Sequence, residues 1–222
     1  MIPIFKNPLT TLLTINDLAK KSFQYKLNNK SSIPILIIDD NSFVYEEEMR
    51  SRGYNIHCIH DLDYLEMAES YRIIISDIKG VGNKLQYGYE GVGLLHALKN
   101  KYPFKLYGVY TGNSVDLEIA NLLEGVKIIP KNVDKDDWDS YLEGFVKDSF
   151  DPISIWKKLR YLLLSSNVTL YELVLMEHKY VDAVINNKPD ISNLFDNDKR
   201  IPDDFRAIVN SMIANVITNS IM

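Results

Sequence analysis

The chain has 222 residues, a net charge of −5 at pH 7 and one cysteine. A single cysteine excludes a disulfide framework within the chain and a zinc cluster built on cysteines. The acidic balance argues against broad nucleic-acid binding, which depends on neutralising phosphates, and no apolar run approaches the ~18 residues that span a bilayer. Because the start of the chain lacks a signal-peptide pattern, we expect a cytoplasmic protein.

The first predicted element is an N-terminal helix. Thr14 and Asp17 have the spacing of a capping box, in which an acid follows the cap residue by three positions. Apolar residues of the stretch 15–27, including Phe23, then share one helical face, and the polar stretch 28–32 follows as a linker. We therefore predict that residues 1–32 form an N-terminal helical extension and linker.

Short apolar runs alternate with helical patterns from residue 33 to residue 150. Each run is rich in β-branched or aromatic residues and is too short for a core helix, which is typical of strands buried on both faces of a parallel sheet. The predicted strands are 33–38, 54–59, 73–75, 106–110 and 126–129, and the predicted helices are 43–52, 61–70, 91–102, 113–124 and 134–150. This alternation predicts a doubly wound α/β domain with a parallel sheet.

The pattern becomes wholly helical after residue 150, with predicted helices at 153–164, 169–185 and 203–217. We therefore predict a helical C-terminal domain at 151–222. Its charges nearly balance, and no basic recognition helix is visible, so we expect neither nucleic acid nor membrane as a partner. A bundle that binds a downstream protein, or that forms a homodimer, fits this composition better.

Polar side chains follow four of the predicted strands at the point where each strand ends. These residues are Asp39, Asp40, Asp77, Thr111 and Lys131. Because the carboxyl ends of parallel strands meet at one edge of the sheet, we expect these residues to lie close together. Three crowded carboxylates favour a hard divalent cation, of which Mg²⁺ is the commonest in cells.

A cation beside Lys131 makes a receptor for a phosphoryl group. Asp77, alone on the predicted central strand, is then the natural nucleophile for an aspartyl-phosphate, and the Thr111 hydroxyl can donate to a phosphoryl oxygen. Phosphoryl transfer needs mainly positioning and charge neutralisation, and these residues supply both. An acidic pair after a strand is often only a solvated turn, and a lone threonine or lysine indicates nothing, but the ordered set is much harder to obtain by chance.

The segment 33–150 resembles the receiver domain of response regulators in two-component signalling. The matching stretches are 35–40, 73–77, 91–98, 109–112 and 128–131. The resemblance implies a flavodoxin-like fold with the strand order 2-1-3-4-5. It also implies that the chain is not a turnover enzyme, and that its partners are a histidine kinase or phosphotransfer protein and a downstream protein.

The resemblance assigns a role to each residue of the predicted site. Asp77 accepts a phosphoryl group in a reaction that depends on Mg²⁺, and Thr111 and Lys131 respond to the phosphorylated state. The ligands of the cation that the resemblance implies are Asp39, Asp40, Asp77 and the backbone carbonyl of Lys79.

The loop that follows Asp77 departs from the family pattern. It runs from residue 78 to residue 90 and is longer than the usual short turn, which suggests a mobile flap or a surface for a partner. Lys79 places an ammonium group near the phosphoacceptor, where it can reach the phosphate or replace the cation. The stretch between Asp40 and Asp77 is also short, so we expect a trimmed second helix.

The last strand departs from the family pattern too. Pro130 precedes Lys131, whereas the family usually has a proline after the lysine. Ile128 stands at the usual position of an aromatic switch residue, for which Tyr107 and Tyr110 are the candidate substitutes. These departures support an alternative function, a receiver-like scaffold or binding module that is not phosphorylated.

Two other functions fit the sequence less well. Haloacid dehalogenase-like phosphatases have two aspartates two positions apart after the first strand, and Asp39-Asp40-Asn41 does not match that spacing. His178 lies on a predicted helix, as a phosphotransfer histidine would, but an ordinary exposed helix position explains it more simply.

Overall fold

A computed structural model of the chain describes residues 12–20, 24–25, 27–112 and 117–188, together with residues 206, 210, 220 and 221. The chain divides into two compact units. One is continuous and comprises Leu27–Ser149, and the other combines Met1–Lys26 with Phe150–Met222. The N-terminal segment thus belongs to the same unit as the C-terminal helices.

Seven helices and seven strands are assigned within the described residues. In chain order they are α1 Ile15–Ala19, β1 Gln24–Tyr25, β2 Pro34–Ile38, α2 Glu46–Ser51, β3 Asn55–Ile59, β4 Ile73–Asp77, α3 Gly91–Lys101, β5 Leu106–Thr111, α4 Leu117–Leu122, β6 Lys127–Pro130, α5 Lys135–Phe150, α6 Pro152–Ser165, α7 Leu170–Ile185 and β7 Ser220–Ile221. Short 3-10 helices cover Leu27–Ser32 and Leu65–Ala68. None of the helices among the described residues is long and apolar enough to cross a membrane.

The continuous unit contains a five-stranded parallel sheet in the order β3-β2-β4-β5-β6. Numbered within this unit, the strand order is 2-1-3-4-5, so the predicted doubly wound, flavodoxin-like fold is confirmed. The last four residues of β2 and all five of β4 are buried, as expected for strands covered on both faces. Pro34 opens β2, the strand position at which a missing amide hydrogen costs least.

Successive side chains of each strand pack on opposite faces of the sheet. On one face, Leu36 and Val109 belong to a buried apolar cluster with Leu95 of α3. On the other face, Gly108 leaves room for Phe145 of α5, because a Cβ atom at Gly108 would lie 2.8 Å from the tip of that ring. These two packed faces fix the strand ends, and with them the loops that carry the polar residues.

Two of the predicted helices are shorter in the structure because side chains at their starts have other roles. The predicted helix 61–70 is a 3-10 turn at Leu65–Ala68, since the Asp61 carboxylate accepts hydrogen bonds from amides of a distant loop rather than capping a helix. The predicted helix 43–52 begins at Glu46, since the Phe43 ring packs against Trp138, with 4.9 Å between ring centroids.

The N-terminal helix is also shorter than predicted. The capping box at Thr14 and Asp17 is present, but α1 ends at Ala19. Gln24 and Tyr25 pair antiparallel with Ile221 and Ser220, so a helix that continues to residue 27 is wrong. The predicted linker 28–32 is part of a 3-10 helix. Phe23, the stretch 113–116 and most of the predicted helix 203–217 lie outside the described residues.

The first two predicted C-terminal helices, 153–164 and 169–185, are confirmed as α6 and α7, which pack through aromatic side chains. The Asp151 carboxylate caps α6 by accepting from the Ser154 amide at 2.9 Å. Trp156 of α6 stacks on Tyr180 of α7, with 5.0 Å between ring centroids. The Tyr180 hydroxyl donates to the Pro152 carbonyl at 2.7 Å, so the two helices are held together by a buried hydrogen bond as well as by ring contact.

Helix α1 is joined to α6 and α7 through Glu177. The Glu177 carboxylate accepts from the Ile15 amide at 2.9 Å and from the Trp156 indole at 2.8 Å. The neighbouring His178 accepts from the Leu13 amide through Nδ1 at 3.0 Å. His178 therefore has a structural role as a hydrogen-bond acceptor. This role favours neither a phosphotransfer function nor a side chain that contacts only solvent.

Candidate functional site

The five residues predicted from the sequence lie at the carboxyl edge of the parallel sheet. Asp39 and Asp40 follow β2, Asp77 and Thr111 end β4 and β5, and Lys131 follows β6. Carboxylate oxygens of the three aspartates lie within 4.8 Å of one another. The Lys131 amide donates to the Thr111 carbonyl at 2.9 Å. The topology therefore brings together groups that are up to 92 positions apart in the sequence.

Asp77 is held on both of its carboxylate oxygens. The side chain is buried, and Oδ1 accepts from the Ile78 amide at 2.6 Å and from the Lys79 amide at 3.4 Å. Oδ2 forms an ion pair with Lys131 Nζ. The hydroxyl of Ser76 donates to the Asp77 carbonyl at 2.8 Å. The Asp77 carboxylate thus has a fixed orientation, and its cationic partner Lys131 is partly exposed to solvent.

Asp39 and Asp40 differ in exposure and in their partners. Asp39 is buried, with Oδ1 accepting from the Asn41 amide at 2.9 Å and Oδ2 accepting from the Tyr110 hydroxyl. Asp40 is exposed and accepts from the Asn41 side-chain amide at 2.8 Å. Asn41 therefore links the two carboxylates, and Asp40 keeps the freedom of a solvent-facing side chain.

Tyr110 joins the site to a group of aromatic rings. Its ring packs edge-on against Trp138 of α5 and against Phe43, with centroids 5.5 Å and 6.5 Å away. Burial, and then the hydrogen bond to Asp39, raise the pKa of Tyr110 far above its usual range. The phenol consequently stays protonated and remains a donor to the Asp39 carboxylate. The sequence indicated Tyr110 as a candidate substitute for an aromatic switch residue, but its contact with Asp39 was not predicted.

The other proposed substitute for an aromatic switch residue does not face the site. Tyr107 lies on the opposite face of β5, where its hydroxyl donates to the carbonyls of Leu98 and Tyr102 at 2.8 and 2.9 Å. Ile128, at the usual switch position, is 47% exposed. Of the three residues, Tyr110 is the one in contact with a carboxylate of the site.

The Asp61 carboxylate ties the loop 78–90 to the rest of the unit, and the Glu90 carboxylate forms a hydrogen bond within the loop. Asp61 accepts from the amides of Gly82 and Lys84 at 2.7 and 3.2 Å, and Glu90 accepts from the Gly80 amide at 3.1 Å. The Lys79 ammonium is exposed and lies 3.9 Å from the Glu90 carboxylate. The ammonium group in contact with Asp77 is therefore that of Lys131 and not that of Lys79.

The donor set fits a hard divalent cation. Three carboxylates face one another, and the cluster pairs one of them with a lysine, which leaves an excess of negative charge. Ligands on opposite sides of Mg²⁺ are about 4.2 Å apart, so carboxylate oxygens within 4.8 Å of one another need only a small movement to share an ion. The exposed Asp40 can make that movement, whereas Asp39 and Asp77 are already fixed.

Comparison with known proteins gives a match in structure alone. No family model matches the chain, and no curated protein does.

The solved structures that match include response regulators and receiver domains. A receiver domain from Clostridium thermocellum is 20% identical, with a TM-score of 0.41, and the match covers 52% of this chain and 94% of that one. A Burkholderia pseudomallei response regulator with a phosphorylated aspartic acid and a calcium ion is 19% identical, with a TM-score of 0.40, covering 69% and 92%. Full-length FixJ from B. japonicum is 19% identical, with a TM-score of 0.42, covering 83% and 92%. At these identities the similarity concerns the fold and assigns no activity.

Proposed function

We propose that the α/β unit is a signalling receiver that accepts a phosphoryl group on Asp77 in a reaction that depends on Mg²⁺. One observation carries the proposal: a buried, oriented Asp77 carboxylate touches Lys131 and lies beside two further carboxylates at the sheet edge. The receiver-like motifs of the sequence agree with it. The donor is a phosphohistidine on a histidine kinase or phosphotransfer protein, and the chain does not turn over as an enzyme.

The proposed chemistry is an in-line displacement at phosphorus. A carboxylate oxygen of Asp77 forms the new bond, and the bond from phosphorus to the donor's nitrogen breaks and returns its electron pair to the donor. Asp39, Asp40, Asp77 and the carbonyl of Lys79 would hold Mg²⁺, which supplies charge neutralisation at the phosphoryl oxygens.

Lys131 and Thr111 then respond to the phosphorylated state. The Lys131 ammonium transfers its contact from the Asp77 carboxylate to a phosphoryl oxygen, and the Thr111 hydroxyl donates to another. Because the Lys131 amide is hydrogen-bonded to the Thr111 carbonyl, the ends of β5 and β6 respond together. This local charge change is the switch of the proposed signalling function.

The helical unit is proposed to carry the signal through protein–protein contacts. Helices α6 and α7 and their junction expose several large apolar side chains, namely Tyr161, Leu164, Leu170, Tyr171, Val174 and Leu175. Exposed apolar groups of this kind favour contact with another protein. The output partner is accordingly a protein rather than a nucleic acid.

The test is the intact mass of the full chain after incubation with acetyl phosphate, with Mg²⁺ or with EDTA. We expect one phosphoryl adduct in the wild type with Mg²⁺ and none in Asp77→Asn. The matched control is Asp63→Asn, which removes an exposed carboxylate that pairs with Lys84 outside the cluster, and it should be phosphorylated like the wild type. If neither acetyl phosphate nor a cognate kinase gives an adduct, the unphosphorylated scaffold is the better function.

A further inference from the structure

The Asp39 carboxylate is held from two different parts of the fold. Its Oδ1 accepts from the amide of Asn41, in the loop after β2. Its Oδ2 accepts from the hydroxyl of Tyr110, which comes from β5 and is 71 positions away in the sequence. Both oxygens therefore have a fixed donor, although the residue lies at the start of a loop.

The ring of Tyr110 is locked by its neighbours. Tyr110 is 5% exposed, Trp138 and Phe43 pack against it edge-on, and Lys131 Nζ lies 5.3 Å from its centroid. A phenol has few rotatable bonds, so a ring enclosed in this way holds its hydroxyl in one place. The donor to Asp39 is consequently rigid, unlike a surface side chain that could move with its partner.

We propose that Tyr110 is a positioning residue for cation binding, and that it acts by fixing the Asp39 carboxylate. This inference rests on the proposed function. A carboxylate oxygen has more than one lone pair, so Oδ2 can accept from Tyr110 and still take part in binding a cation. Hydrogen-bonding partners that orient metal ligands typically contribute a factor of about 10–100 to metal affinity.

The same strand offers a matched control for this residue. Tyr107 is also buried on β5, and its hydroxyl is also hydrogen-bonded, but its partners are the carbonyls of Leu98 and Tyr102. Tyr110→Phe and Tyr107→Phe therefore remove the same atom from similarly buried positions. Only the first variant loses a donor to a proposed cation ligand.

The experiment is a Mg²⁺ titration of the full chain, followed by tryptophan fluorescence, since Trp138 packs on Tyr110. We expect Tyr110→Phe to weaken Mg²⁺ binding by about tenfold, and Tyr107→Phe to bind as the wild type does. Phosphorylation by acetyl phosphate is measured at increasing Mg²⁺ in parallel. Tyr110→Phe should need about tenfold more Mg²⁺ but reach the wild-type rate at saturation, because Tyr110 orients a ligand and takes no part in the transfer.

Several results would overturn the inference. Equal or tighter Mg²⁺ binding by Tyr110→Phe would show that the hydroxyl does not orient Asp39 for a cation. A similar loss in both tyrosine variants would assign the effect to general stability. If the wild type binds Mg²⁺ but gives no phosphoryl adduct, the proposed phosphorylation is wrong, and the titration alone decides the positioning role of Tyr110. A wild type that binds no Mg²⁺ would overturn both the proposed phosphorylation and the positioning role.

Discussion

Asp39→Asn should make the folded chain more stable than the wild type without a cation and less stable than the wild type with Mg²⁺. The Asp39 carboxylate is repelled by the carboxylates of Asp40 and Asp77, and the Lys131 ammonium beside Asp77 offsets about one of these two repulsions. The repulsion that remains, between two unit charges within 4.8 Å of each other, is about 3.5 kcal/mol at an effective dielectric constant of about 20. Asp39→Asn removes this repulsion, and the Tyr110 hydroxyl can turn to accept from the new NH₂ group, because a hydroxyl both donates and accepts. The hydrogen bonds with Asn41 and Tyr110 become weaker, since bonds to a charged acceptor are worth about 1 kcal/mol more than neutral ones. Without a cation, we expect the variant to be more stable than the wild type by about 1–2 kcal/mol.

Bound Mg²⁺ should favour the wild type instead. A ligand at 100 times its dissociation constant stabilises the folded state by about 2.7 kcal/mol. The variant lacks one of the three carboxylates and should gain much less. The order of stability therefore reverses between EDTA and saturating Mg²⁺, with the wild type ahead by about 1 kcal/mol in the second condition.

Hydrogen exchange measures this reversal in the correct unit of the chain. The slowest amides in β2 and β4 report the opening of the α/β unit, and they are read separately from the helical unit by peptide mass. Asp63→Asn is the control, because its exposed ion pair with Lys84 lies outside the cluster and should show no reversal. A wild type with the same exchange in EDTA and Mg²⁺, or a variant that is less stable in EDTA, would refute the electrostatic reasoning.

Three further predictions test other parts of the structure. Gly80→Ala should lower Mg²⁺ affinity in a titration, because the new Cβ atom would meet the Asp40 carboxylate. Gly53 also has a positive φ angle, but a Cβ atom there would have no neighbour within 4 Å, so Gly53→Ala should lose only about 1–2 kcal/mol of stability. Burial raises the pKa of Tyr110 in the folded chain, so the unfolded state releases its proton first and stability should fall above pH ~10, as absorbance-monitored unfolding would show. Glu177→Gln should destabilise the helical unit by about 1–3 kcal/mol in urea, because an amide NH₂ replaces one of two occupied acceptors; an unchanged midpoint would contradict this.

The strand pattern made the sheet predictable from the sequence. Runs such as that of β2 are apolar on both faces, and their alternation with helical stretches left a doubly wound parallel sheet as the natural fold. The polar residues at the strand ends could then be placed at one edge, because in such sheets the ends of parallel strands meet there. The proximity of Asp39, Asp77 and Lys131 follows from this rule.

The contacts that refine the site depend on long-range packing, which a single sequence does not display. The hydrogen bond from Tyr110 to Asp39 depends on the register of strands that are distant in the sequence. The hydrogen bonds from the loop 78–90 to Asp61 form in place of the predicted helix 61–70. Similarly, the N-terminal helix ends early because Gln24 and Tyr25 pair with residues near the other end of the chain. Periodicity describes local preference, and these partners are up to 197 positions away.

The central claim is that Asp77 is a phosphoacceptor that depends on a divalent cation, and locating the phosphoryl group tests it most directly. The full chain is incubated with acetyl phosphate and Mg²⁺, the acyl phosphate is trapped by borohydride reduction, and peptides are mapped by mass. The account predicts that the reduced residue is Asp77 alone, and that EDTA prevents the modification. Trapping at Asp39, Asp40 or another residue, or equal trapping in EDTA, would contradict it.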